Sequence, residues 1–230
     1  MNFFSITPFL LQTAIWPIMW VVLRVFGKIT ILGKEHIHWH IHGAIVAPNH
    51  ASQFDPILIP ATLNPFSNLM PMFYLARERA FYEVTGLVQY IYGGLFFKIW
   101  GAYPVHVGTR DYEYALKSHI EILDRGQSVC IFPEGGKTKD GKIGEGKSGV
   151  AYLAWRTGRP VLPVAIHGHH KMGPQDFFSR RRSIVVSYGK PITKEELFGS
   201  NTSTIPPTQE ELKSATKIIM SRIREMYERI

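Results

Sequence analysis

Three short apolar runs constrain this chain more than any other feature: residues 43–48 (GAIVAP), 128–132 (SVCIF) and 161–166 (VLPVAI). None contains a charged residue, and each has the length and boundaries of a buried strand. Further strands are predicted at 28–32, 71–76 and 183–188. Helical patterns fall between or after them, starting near Pro56 and covering 111–125, 150–157 and 207–230. Strands alternating with helices at this spacing predict an α/β fold with a mostly parallel sheet flanked by helices. A chain of 230 residues can build one such domain with a sizeable core, plus an appendage.

The first apolar run delivers Asn49-His50-Ala51-Ser52-Gln53-Phe54-Asp55 to its carboxyl end, where sheets of this class place their sites. A histidine there can take a proton from a hydroxyl, while a carboxylate five positions on fixes its tautomer and stabilises the imidazolium that forms. By itself the stretch also fits a surface histidine beside a helix-capping aspartate. A second stretch changes the balance, namely residues 131–138 (IFPEGGKT), followed by the run at 161–164 (VLPV). The single cysteine, Cys130, sits inside an apolar strand and reads as a buried, inert thiol that fits a reducing compartment.

The ordered set of Asn49-His50 with Asp55, Phe132-Pro133-Glu134-Gly135 and Val161-Leu162-Pro163-Val164 resembles the glycerolipid acyltransferases, whose best-known members are the 1-acylglycerol-3-phosphate acyltransferases. The resemblance covers roughly residues 30–190. It implies transfer of a fatty acyl group from a thioester donor, acyl-CoA or acyl carrier protein, to the free hydroxyl of a lysophospholipid. The acceptor it points to is 1-acylglycerol-3-phosphate, which would become phosphatidic acid. In that reading His50 is the general base, Asp55 is its partner, transfer is direct, and no cofactor or metal is required. Residues 101–105 (GAYPV) are similar to the family's second motif, but Val107 stands where its phosphate-binding arginine is expected. The nearest arginine, Arg110, opens the helical run that follows. In the third motif Gly136-Lys137 replaces the usual Thr-Arg, so a point charge stands in for a bidentate fork. The expected substrate-binding set is Asn49, Glu134, Gly135, Gly136, Lys137, Lys147 and Arg110, with Glu134 positioning its loop rather than doing chemistry. The two glycines leave room for backbone N–H groups to approach an anion. Lys147 precedes a helix whose N-terminus adds positive potential.

Lys and Arg outnumber Asp and Glu by 26 to 18, a formal charge of +8, which favours an anionic partner. No Arg-rich recognition helix or RNA-binding signature is present, so an anionic membrane surface is preferred to nucleic acid. Residues 1–23 carry no charged side chain and could just span a bilayer. Pro8 and Pro17 argue for breaks, and Trp16 and Trp20 suit an interface, so a broken helix lying in one leaflet is expected. This divides the chain into a membrane-associating segment, 1–28, and an acyltransferase domain, 29–230, on the cytoplasmic side of the membrane. No basic leader or cleavage site suggests a signal peptide. Residues 81–100, rich in Tyr, Phe and Gly, line an acyl route, lie against lipid or form a buried helix pair. Arg180, Arg181 and Arg182 suit either a solvated turn or anionic headgroups. Loops are expected at 62–70, with exposed apolar side chains, and at 171–176.

His36, His38, His40 and His42 alternate along residues 36–42 and would share one face of an extended strand. A metal hydrolase built on this row is one rival reading. Tetrahedral sites gather ligands from separate elements, however, so a solvated strand face with Ile37, Trp39 and Ile41 turned inward is preferred. Another rival is a membrane-docked lipid-binding protein with a degenerate site, against which the intact Asn49-His50 and Asp55 stand. An acyltransferase for a different lysolipid acceptor also fits the residues.

Overall fold

The computed structural model describes residues 3–37, 43–52, 54–77, 99–106, 108–109, 111–180, 182–199 and 205–230. Among these, the helices are α1 (Phe3–Val25), α2 (Asp55–Thr62), α3 (Tyr112–Ala115), α4 (Lys117–Asp124), α5 (Gly149–Thr157), α6 (Pro174–Phe178), α7 (Lys194–Phe198) and α8 (Gln209–Glu228). The strands are β1 (Lys28–Leu32), β2 (Ile45–Pro48), β3 (Met72–Arg77), β4 (Ala102–Val105), β5 (Ser128–Cys130), β6 (Val161–His167) and β7 (Ser183–Tyr188). They form one sheet in the order β1-β7-β6-β2-β5-β3-β4, parallel throughout except between β6 and β7.

Helices cover both faces, which is why the central strands carry continuous apolar runs rather than alternating ones. Ile45, Ala47, Val129 and Val161 face one core with Ile120 and Leu123 of α4, Val150 and Leu153 of α5 and Ile219 of α8. Val46, Cys130, Leu162, Val164 and Ile166 face the other, with Leu23 of α1 and Leu58 and Ile59 of α2. α8 starts at a capping box in which the Thr208 hydroxyl accepts from the Glu211 N–H and the Glu211 carboxylate accepts from the Thr208 N–H. Its buried residues Leu212, Ala215, Thr216, Ile219, Met220 and Ile223 recur every three or four positions, one stripe pressed on the sheet.

α1 corrects an expectation, because it runs unbroken through Pro8 and Pro17. Each proline removes one internal hydrogen bond, and tertiary anchoring offsets the loss. The buried Gln12 amide donates to the carbonyls of Met72 and Trp100 and accepts from the Met72 N–H, and Trp16 Nε1 donates to the Leu63 carbonyl. The outward side shows Leu10, Ile18, Val21 and Val25, an exposed apolar stripe. Residues Ile6–Val25 are long and apolar enough to cross a membrane.

Several smaller expectations also change. The run 111–125 is two helices meeting at Leu116, and part of the 171–176 loop is α6. The 62–70 loop exposes Phe66 but buries Leu63 and Leu69. Lys34–His36 is a 3-10 turn, so the histidine row does not begin on a strand. His38, His40 and His42, most of 81–100, Val107, Arg110 and Arg181 lie outside the described residues.

Candidate active site

Three neighbouring parallel strands, β5, β2 and β6, end on the same side of the sheet, and the loop leaving each contributes to one cluster. The loop after β2 carries Asn49 and His50 and runs into Asp55, the first residue of α2. The loop after β5 carries Glu134, Gly135, Gly136 and Lys137, and the turn after β6 carries His169.

The His50 Nδ1 lies 2.8 Å from Asp55 Oδ2. The same oxygen accepts the backbone N–H groups of Ala51 at 2.9 Å and Ser52 at 3.0 Å. Asp55 is fully buried while the His50 side chain is 16% exposed. The His50 ring stacks on Phe132, with centroids 4.0 Å apart, which fixes its plane. Among the described residues no hydrogen bond engages His50 Nε2, the nitrogen a general base would use. Burial by itself would raise the Asp55 carboxyl; hydrogen bonds from His169 and His50, with help from the Ser52 N–H, outweigh it and hold the group at about 2. Asp55 is therefore ionised at neutral pH, at the positive end of α2. Cys130, fully buried beneath, has its thiol pushed up by burial and then by the Asp55 charge, consistent with an inert sulfhydryl.

Glu134 ties the second loop to the first. Its Oε1 accepts the His50 backbone N–H at 2.8 Å and its Oε2 accepts the Gly144 N–H at 2.8 Å. The His50 carbonyl in turn accepts the Thr138 N–H at 2.8 Å. Glu134, expected to position its own loop, thus also reaches across to the backbone of His50. Gly135 sits at φ 69, a conformation that favours glycine, and packs against the Lys147 side chain. Its N–H is spent on the Phe132 carbonyl, so Gly136 rather than Gly135 retains a candidate anion donor. Lys137 lines an open cleft of about 430 Å³ with Glu134, Gly136, Lys139, Asp140 and Lys142. The lining carries Lys137, Lys139 and Lys142 against the carboxylates of Glu134, Asp140 and Glu145, of which Glu134 and Asp140 accept backbone N–H groups. Lys147 lies against Gly135.

Asn49, expected to contact substrate, is 3% exposed, and its amide is used on β6: it donates to the Ile166 carbonyl at 3.0 Å and accepts the Ile166 N–H at 2.7 Å. It brackets β2 to β6 just where their loops diverge, and so holds His50 in place through the backbone. Arg110 lies outside the described residues. The residue that sequence reasoning missed is His169, whose Nε2 is 2.5 Å from Asp55 Oδ1. A signal existed, because residues 167–170 (HGHH) close a predicted buried strand just as Asn49-His50 does.

A family model described as Acyltransferase matches residues 28–167. Among curated relatives, the chloroplastic 1-acyl-sn-glycerol-3-phosphate acyltransferase of Arabidopsis thaliana is 28% identical over 159 residues, covering 68% of this chain and 41% of its own length. A 1-acyl-sn-glycerol-3-phosphate acyltransferase of Bacillus subtilis is 24% identical over 211 residues, covering 91% and 94%. The chain thus spans about two fifths of the plant relative and nearly all of the bacterial one. The crystal structure of the 1-acyl-sn-glycerophosphate (LPA) acyltransferase PlsC from Thermotoga maritima superposes with a TM-score of 0.63, covering 95% of this chain and 81% of that one at 21% identity, a likeness of fold.

Proposed function

This chain belongs to the acyltransferase family, and from that premise we propose that it transfers a fatty acyl group from a thioester, acyl-CoA or acyl carrier protein, to the free hydroxyl of 1-acylglycerol-3-phosphate, giving phosphatidic acid. The observation that carries the reading is the His50–Asp55 pair: Nδ1 bonded to a buried carboxylate, Nε2 unengaged among the described residues, on a ring that is not fully buried. His50 Nε2 removes the acceptor hydroxyl proton as the oxygen attacks the thioester carbonyl. The tetrahedral oxyanion then collapses, the C–S bond breaks, and the proton returns to the departing thiolate. Asp55 holds the tautomer and balances the imidazolium between these steps. Lys137, beside Gly136, meets the acceptor phosphate as a point charge.

The reading extends to location. α1 fixes one side to the domain through Gln12 and Trp16 and leaves an apolar stripe outward, which suits a helix lying along the cytoplasmic leaflet. Phe178 of α6, stacked edge-on against Phe26 at 5.2 Å, extends the stripe, and Arg24 and Arg180 flank it for anionic headgroups. The test of the activity is transfer from a labelled acyl thioester to lysophosphatidic acid, measured for the wild type and His50→Ala together. His50→Ala is expected to lose about 10²–10⁴-fold in kcat while folding and binding vesicles normally. Near wild-type turnover in that variant would sink the mechanism.

A further inference from the structure

Asp55 serves two histidines. Among the described residues, Oδ2 receives three donors, from His50 Nδ1 and the Ala51 and Ser52 N–H groups, whereas Oδ1 receives one, His169 Nε2, at 2.5 Å. We propose that His169 is a positioning residue for the general base: by donating from Nε2 to Asp55 Oδ1 it fixes the plane of the carboxylate whose other oxygen orients His50. The proposal rests on the reading of His50 as that base and goes beyond it to a second imidazole.

Burial makes the contact consequential. Asp55 is fully buried and His169 is 3% exposed, so in the intact site bulk water does not compete for this contact. A buried ionised oxygen with no donor is costly. The terminal torsion of an aspartate is soft, so without the Oδ1 anchor the carboxylate plane can tilt about the Oδ2 contacts and change the angle that Oδ2 presents to His50 Nδ1. Misplacement of a catalytic group by about 1 Å is enough to cost a hundredfold in rate. The backbone is built to deliver this ring. Gly168 has φ 92, and a Cβ there would lie 1.9 Å from the Ser183 carbonyl oxygen, so no other residue lets the chain turn here beside β7. The His169 carbonyl then accepts the Met172 N–H at 3.1 Å, closing the turn. His169 Nδ1 is buried with no partner among the described residues. A proton there would be a buried donor without an acceptor, so the tautomer with its proton on Nε2, facing Asp55, is the one the surroundings favour. The hydrogen bond from His169 is also the largest influence lowering the Asp55 carboxyl.

The test compares His169→Ala, His169→Gln and His169→Asn in the full-length protein. Glutamine places its amide nitrogen near the position of imidazole Nε2, whereas asparagine places it near Nδ1. His169→Ala is expected to lower kcat by about ten- to a hundredfold, the worth of one hydrogen bond to a charged group. The KM values of both substrates should stay within about twofold, since no substrate contact is lost. His169→Gln should recover most of the loss and His169→Asn should not. Low-field proton NMR reads the same geometry without turnover. The wild type should show two imidazole N–H resonances from hydrogen bonds to Asp55, and His169→Ala should abolish one and move that of His50. Unchanged kcat in His169→Ala, or Gln and Asn variants equal to each other, would overturn the proposal, as would a His50 resonance unmoved by the substitution. A wild type without acyl transfer would refute the functional reading, and the NMR comparison would still decide this one.

Discussion

Asp55 and Lys137 carry opposite charges on adjoining parts of the sheet's carboxyl end and are held in opposite ways. Asp55 is fully buried, and both of its oxygens are occupied by donors from two loops. Lys137 is an exposed side chain on the loop after β5, lining an open cleft. A buried, fully bonded charge has one arrangement available and large consequences when disturbed. An exposed lysine is hydrated, screened and adaptable, and its contribution is correspondingly graded. On the proposed reading, the chemistry is set by the fold, while recognition of the acceptor is left to groups that can be varied without rebuilding the sheet ends.

The sharpest way to break this contrast is Asp55→Asn. Every described hydrogen-bond partner of the carboxylate is a donor, so an amide nitrogen placed at either oxygen position faces an N–H and forces a histidine into the wrong tautomer. A loss of about 10²–10⁴-fold in kcat is expected, with little change in either KM. Stability should report the same burial. Because the folded Asp55 carboxyl sits at about 2, below its unfolded value, its stabilising contribution is present above about pH 4 and is lost as pH falls from about 4 to about 2. The contribution is on the order of 2 kcal/mol. Denaturant titrations of wild type and Asp55→Asn should converge across that window; a constant gap down to pH 2 would show that the carboxylate is not held as described.

How much of this was legible beforehand depended on sequence separation. The strands could be read because runs such as 161–166 are continuously apolar, and His50 and Asp55 could be paired because five residues bridge a strand end and a helix start. Partners from distant segments could not. Asn49 meets Ile166 across 117 positions and His169 meets Asp55 across 114, so each depends on β6 lying beside β2. Nothing local specifies that adjacency or the reversed direction of β7. α1 failed for a related reason: the rule that proline breaks a helix is local, and it was overridden by Gln12 reaching Met72, 60 positions away. A lone glutamine in an uncharged apolar segment was the available clue, since a buried amide must find partners.

A gentler probe is Lys137→Ala. If this lysine meets the acceptor phosphate, its removal should raise the acceptor KM about tenfold and leave the KM of the acyl thioester nearly unchanged, the worth of one charged hydrogen bond in a partly solvated setting. Equal rates with lysophosphatidic acid and a neutral monoacylglycerol in the wild type would instead show that no phosphate is recognised. A kcat loss as large as that of Asp55→Asn would also erase the distinction between the two regions.

The smallest expected effect concerns what holds the outer loop in place. Arg224 on α8 donates from Nη2 to the Gly144 carbonyl at 2.7 Å; the Gly144 N–H reaches Glu134 Oε2, and Glu134 Oε1 reaches the His50 N–H. The C-terminal helix is thus three hydrogen bonds from the proposed base. Only the last of these links reaches His50, however, and Glu134 keeps it when Arg224 is gone. Glu134 also belongs to a loop tied independently by the bonds from Thr138 N–H to the His50 carbonyl and from Lys147 N–H to the Pro133 carbonyl. Arg224→Ala should therefore raise the acceptor KM by about two- to fivefold, the range of one ordinary surface hydrogen bond, and leave kcat within about twofold. Arg224→Lys, which retains a donor, should fall between that variant and the wild type. A kcat loss in Arg224→Ala exceeding the KM effect of Lys137→Ala would mean that α8 sets the geometry of His50 from outside, and the division between a fixed catalytic end and an adaptable recognition loop would have to be redrawn to include the helix.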